Sequence, residues 1–236
     1  MQLSLPLLAP PDATQRSLSL RGRRYDVRIA RHRRARRYLL RVCADGALRL
    51  TVPRGASIAD GLKFAERQAD WIERERIRQD RRAEPWRHGT WVLVRGQTEC
   101  LEVAGLEVFC GKERIVLSDP DADIRMFVER HLAAVAAREL PARCMEFARR
   151  HGLDVARVAV RNQRSRWGAC SPRRVITLNW RLIQMPASVS DYVLLHELMH
   201  LRQPNHSRQF WRQVEAVCPE WREAERWLRR HGREVL

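Results

Sequence analysis

The stretch DYVLLHELMHLRQPNHSRQF, from Asp191 to Phe210, constrains this chain more than any other. Val193, Leu194, Leu195, Leu198, Met199 and Leu201 spread over most of the circumference of a helix of about 3.6 residues per turn, which predicts a helix buried in a core. Inside that apolar run stand His196, Glu197 and His200. Burying two imidazoles and a carboxylate without partners costs several kcal/mol, so something must compensate them. The histidines are four residues apart, on nearly one helix face and about 6 Å apart along the axis, so one ligand can serve both. Pro204 disfavours the helical conformation at Gln203 and has no N–H for the ladder, which predicts a helix end near Arg202. Asn205 then suits a turn that presents His206, and Ser207 is a predicted cap for a helix through Phe210, Trp211 and Val214.

A divalent metal is the direct compensation. The spacing matches the HExxH pattern of zinc hydrolases, with His196 and His200 donating ring nitrogens and Glu197 placed to act on an activated water as general base. Catalytic zinc sites take three protein ligands, so the expected cofactor is one Zn2+ per chain with His206 as third ligand. Glu215, Glu220 and Glu223 from the following helices are the alternatives for that position.

Elsewhere the pattern predicts an α+β chain. YLLRVCA and ALRLTVP flank Asp45-Gly46, a pair suited to a tight hairpin, and with SLSL and YDVRIA upstream they predict a small antiparallel sheet. A capping-box-like Ser57 and Asp60 open a helix expected to run to about Arg82. WVLV, LEV and RIVL are further strand candidates, and Asp119-Pro120-Asp121 breaks the pattern. An amphipathic helix follows from Ala122, with Pro141 expected to kink or restart it. VARVAV and VITLNW are the next strands, and Ser188 with Asp191 predicts the start of the histidine helix. The resulting division is a loose tail over 1–15, a β-rich region over 16–120 and a C-terminal domain over 121–236.

The formal charge of +17 attracts polyanions, and RHRRARR over Arg31–Arg37 is the strongest basic patch, so nucleic acid is a possible partner through the N-terminal region. Six cysteines without a CxxC pair read as reduced thiols, and no segment offers the ~20 apolar residues of a membrane span. A cytoplasmic protein is expected.

The series SRWGAC (Ser165–Cys170), LNWRL (Leu178–Leu182), DYVLLHELMHL (Asp191–Leu201) and NHSRQFW (Asn205–Trp211) resembles the YgjP-like metallopeptidases in order and spacing. VPRGAS and the helix with Trp71-Ile72 extend the resemblance to most of the chain from about residue 18. Ala169 and Met199 depart from the family's usual serine and cysteine without touching a proposed ligand. The family is related to SprT-like proteases and the zincin clan. The resemblance implies a zincin-like C-terminal domain in which a sheet edge strand lies above the active-site helix. By position it makes His196, His200 and His206 metal ligands and Glu197 the catalytic residue, acting on a protein or peptide substrate. VITLNW is the predicted strand for an added peptide, and Trp167, Asn179, Trp180, Arg181 and Tyr192 are the candidate substrate-binding residues. Two rival readings remain. One is a metal-dependent hydrolase of nucleotide phosphoanhydrides, which would lack a glycine-rich phosphate loop; the other is a DNA-associated protein with a structural zinc.

Overall fold

The computed structural model describes residues 14–119, 123–163 and 165–235. The chain divides into two compact units, Met1–Glu84 and Pro85–Leu236.

In the first unit, strands β1 (Thr14–Leu20), β2 (Arg23–His32), β3 (Leu39–Val42) and β4 (Leu48–Pro53) form one sheet in the order β1-β2-β4-β3. The tail expected over 1–15 lies, up to residue 13, outside the described residues. Alternate residues are buried in β2 from Tyr25 to Ile29 and along β4, so Tyr25, Val27, Ile29, Leu48, Leu50 and Val52 line one face. Helices α1 (Ile58–Arg67) and α2 (Ala69–Ala83) bury Ala65 and Ile72 in the same core. The single helix expected here is broken at Gln68, while Ser57 caps α1 by accepting from the Asp60 N–H. Both hairpins are antiparallel, but β2 and β4 pair in parallel and join them into a mixed sheet. At the β1–β2 turn, Arg21 and Gly22 both take positive φ, whereas at Asp45-Gly46 only Gly46 does. A bonded reversal between Cys43 and Ala47 therefore makes that loop longer than a two-residue turn.

In the second unit, β5 (Trp91–Val94), β6 (Gln97–Ala104), β7 (Glu107–Cys110) and β8 (Glu113–Val116) form an antiparallel meander in sequence order. Helix α3 (Ile124–Arg150) passes through Pro141 without interruption and buries Phe127, Val128, Leu132, Val135, Leu140 and Phe147. The break expected at Asp119-Pro120-Asp121 falls mostly on 120–122, outside the described residues. Strands β9 (Arg157–Arg161), β10 (Gly168–Cys170) and β11 (Val175–Asn179) follow in the order β10-β11-β9. A 3-10 turn over Trp180–Gln184 leads to α4 (Ala187–Met199), α5 (Arg208–Val217) and α6 (Trp221–Val235). Pro186, not Ser188, occupies the cap position of α4, and no side chain closes that end.

The β5–β6 hairpin tip fixes where α4 begins. Arg95 and Gly96, both at positive φ, form the turn and donate their N–H groups to the Ile183 and Gln184 carbonyls. A Cβ at Gly96 would sit 2.8 Å from the Pro186 Cα, so only glycine permits this approach. The meander, α3, β11 and α4 share one apolar core, which carries Val108, Val128, Leu178 and Leu194.

Candidate metal centre

Helix α4 is buried around almost its whole circumference, with Leu194, Leu198 and Met199 fully inaccessible. It ends at Met199, earlier than Pro204 alone requires. The next turn tightens: the Leu201 N–H donates to the Leu198 carbonyl, and those of Arg202 and Gln203 both donate to Met199. After Pro204, the Asn205 side chain accepts from the Ser207 N–H and the Ser207 hydroxyl caps α5 by accepting from the Phe210 N–H. This reversal carries the His206 ring back over the helix it has just left.

Among the described residues, the ring nitrogens of His196, His200 and His206 form a metal-capable cluster, all within 4.8 Å of one another. The Nε2 atoms of His196 and His206 are 3.0 Å apart. A tetrahedral zinc with Zn–N bonds of ~2.0–2.1 Å holds its nitrogens about 3.3 Å apart, so the spacing fits such an ion. The tautomer of His200 fits as well. His200 Nδ1 is 3.1 Å from the Gln203 carbonyl, which only accepts, so that nitrogen carries the proton and Nε2 keeps a free lone pair. The Tyr192 hydroxyl lies 3.5 Å from His196 Nδ1 and engages the corresponding nitrogen of that ring. Burial, reinforced by His200 and His206, pushes His196 down to about 3, and burial also lowers His200, so both rings are neutral donors near pH 7.

Aromatic rings from α5 wall the cluster. Buried Phe210 stacks on His200 with centroids 4.5 Å apart, and Trp211 stacks on His206 at 5.8 Å and on Trp221 at 4.6 Å. Sequence reasoning assigns Phe210 and Trp211 only to a helix core; their i, i+4 and i, i+5 distance from His206 is the signal that ties them to the rings.

Glu197 is buried, with its side chain against strand β10. A Cβ added at Gly168 would lie 2.5 Å from the Glu197 Cγ, so the carboxylate occupies the space that glycine leaves. Burial raises the carboxyl from 4.5 to about 7, against the opposing pull of the Arg166 charge and of the Cys170 backbone N–H. Gly168 is a further residue that sequence reasoning misses, because its role exists only where β10 meets α4.

The five candidate substrate residues fall in different places. Tyr192 is buried beside His196. Trp180 is in the core, with the Arg181 guanidinium 4.4 Å above its ring. Asn179 is fully buried; it donates to the Gln163 and Arg166 carbonyls and accepts from the Arg181 N–H, which pins the segment leading into β10. Arg181 also donates to Asn162, and Trp167 is half-buried with its ring against Gly232. Of the alternative third ligands, Glu215 and Glu223 pair with Arg222 and Arg226.

The expected peptide-binding strand needs correction. VITLNW supplies β11, which is central in its sheet with β9 and β10 on either side, so its hydrogen-bonding edges are filled. The edge next to α4 is β10.

An α+β frame with two half-buried imidazoles on one helix and a third on the returning turn accompanies a family match that makes the molecule a metallopeptidase. The match to the YgjP-like metallopeptidase domain covers residues 36–231, and the chain belongs to that family. It is also similar to the solved metallopeptidase zymogen of Pyrococcus abyssi abylysin, at 27% identity over 38% of this chain and 91% of that one, with a TM-score of 0.34. No curated protein matches. No helix among the described residues is long and apolar enough to cross a membrane.

Proposed function

We propose that this protein is a zinc-dependent peptidase that hydrolyses peptide bonds in protein or peptide substrates, with one Zn2+ held by His196, His200 and His206. The convergence of three imidazoles within 4.8 Å carries this reading. Zinc, when bound, supplies a Lewis acid that brings the pKa of water from 15.7 to about 7 and polarises a carbonyl. Glu197 accepts the proton released by the attacking water and passes it to the leaving amine. A carboxyl raised to about 7 suits both halves of that transfer, because it is neither too weak a base nor too weak an acid near neutral pH. Tyr192 and the Gln203 carbonyl orient the rings of His196 and His200. An extended peptide adds to the open edge of β10, where backbone hydrogen bonds align it along α4. Six free thiols suit a reducing, cytoplasmic location.

A structural zinc closes with four ligands, and this cluster offers three, which favours catalysis over the structural reading. Elemental analysis of purified, untagged protein should give one zinc per chain. Glu197→Gln should retain that zinc while peptide hydrolysis falls by about 10³-fold, within the range of lost acid–base catalysis. His206→Ala should lose the metal. Full activity in Glu197→Gln overturns the general base. Phosphate release from nucleoside triphosphates that depends on Glu197, with no peptide cleavage, overturns the peptidase in favour of a phosphoanhydride hydrolase.

A further inference from the structure

We propose that the N-terminal unit carries a binding site for single-stranded nucleic acid, in the groove between β3 and helices α1 and α2. The groove encloses about 460 Å³ and is lined by Arg37, Tyr38, Leu39, Phe64, Gln68 and Trp71, with no acidic side chain in its lining. Its walls are aromatic. Tyr38 and Phe64 stack with centroids 6.0 Å apart and planes 23° apart, and the Tyr38 ring lies over Gly61, where an added Cβ would be 3.1 Å away. The Tyr38 hydroxyl donates to the Ser57 carbonyl, which anchors that ring to the start of α1. Tyr38, Phe64 and Trp71 are all half-buried, so each keeps part of a π-face accessible, and Leu39 at the rim is 48% exposed.

Among the described residues, the charge beside this groove has no ionic partner. Arg33, Arg34, Arg36 and Arg37 occupy the exposed turn from β2 into β3, and their guanidinium groups have no ion-pair or hydrogen-bond partner among the described residues. The contrast lies within the same unit. On α2, Arg76 pairs with Glu73 and Asp80, and Arg78 pairs with Glu75. From Val27 to Ala44 the chain has seven arginines and not one aspartate or glutamate. Four unneutralised guanidiniums beside an acid-free aromatic groove match a flexible polyanion whose bases stack, because phosphates take the arginines and every base offers a π-face to the rings. An acidic peptide would satisfy the arginines and leave the aromatic walls without a matching surface.

The test is fluorescence anisotropy with the full-length, zinc-loaded protein and labelled oligothymidylate, oligouridylate, duplex DNA of equal length and polyglutamate. Both single strands should bind more tightly than duplex or polyglutamate. Four phosphate contacts at a single-strand slope of about −0.7 each predict that affinity falls about 50-fold between ~50 and ~200 mM salt. Joint replacement of Arg33, Arg34, Arg36 and Arg37 by Gln should abolish most of that salt dependence. Trp71→Leu, or Phe64→Leu should the first variant unfold, should weaken binding about 10-fold with the salt slope kept, because it removes stacking and leaves the charges. Far-UV circular dichroism should stay unchanged in each variant, which reports that the N-terminal unit is intact. Equal or tighter binding of duplex overturns the stacking groove. Equal binding of polyglutamate, or an arginine-replaced variant that binds as before, overturns the site altogether.

Discussion

Residues 1–84 carry 20 lysines and arginines against 10 acidic residues, a net +10, while residues 85–236 carry 25 against 18, a net +7. Yet the buried polar side chains among the described residues, Asn179, Gln184, Ser190 and Glu197, all belong to the second unit. The first unit has no fully buried charged residue among the described ones and fills its core with Val27, Ile29, Leu48, Leu50, Val52 and Ile72. Charge in water costs little and acts over a surface. A carboxylate inside a core is costly, and it is sustained only where neighbours are arranged around it. The two units thus hold their chemistry in opposite forms: a diffuse surface field in one, and a small set of oriented groups in the other.

Substitutions should separate these forms sharply. Gly168→Ala should have a large effect for one methyl group. With 2.5 Å between the new Cβ and the Glu197 Cγ, the carboxylate must move, and a displacement of ~1 Å at a reacting group costs about 10²-fold in rate. Steady-state peptide hydrolysis, with zinc content unchanged, checks it. A comparable loss from a glycine outside the second unit would erase the contrast.

Tyr192→Phe should weaken zinc binding about 10-fold, the lower end for a group that orients a ligand, because it leaves His196 Nδ1 without its hydroxyl. Competition with a fluorescent chelator measures this without any assay of hydrolysis.

In metal-stripped protein the buried carboxyl and the imidazoles respond to pH in opposite directions. Between 4.5 and about 7, Glu197 holds its proton in the folded chain and loses it in the unfolded one, so its contribution to stability falls as pH rises. Between about 3 and 6.5, His196 is neutral when folded and takes a proton when unfolded, so its contribution rises with pH, and His200 acts in the same direction. Melting temperatures taken in chelator should therefore climb more steeply with pH for Glu197→Gln than for the parent protein across the window from 4.5 to 7. The smallest effect belongs to the first unit: neutralising Arg33, Arg34, Arg36 and Arg37 should leave the melting temperature and the zinc content where they were.

How much of this is legible in the sequence follows from distance along the chain. The approach of His206 to His196 and His200 is readable because helix spacing, Pro204, Asn205 and the Ser207 cap act within one short segment. The helical stripe of α3 is readable for the same reason. The parallel pairing of β2 with β4 is not, because nothing local to either strand encodes which neighbour it finds. The central place of β11 is hidden likewise, since VITLNW is equally apolar at an edge or between two strands. Turn chemistry misleads in one instance. Asp45-Gly46 has the stronger hairpin signal, yet the turns with two positive φ values are Arg21-Gly22 and Arg95-Gly96, where the surrounding strands impose what the arginines do not favour. The contact between Gly168 and Glu197 joins two elements and leaves no mark in either one alone.

The ring-bearing turn is compact along the chain. Its three imidazoles fall within eleven consecutive residues, from His196 to His206, so gathering them closes only a short loop and forfeits little chain freedom. With the ligand set proposed above, an ion would be held by this segment alone, and the energy of coordination would then count toward folding. Metal supply during synthesis would govern how many copies mature, as well as how fast each finished copy works.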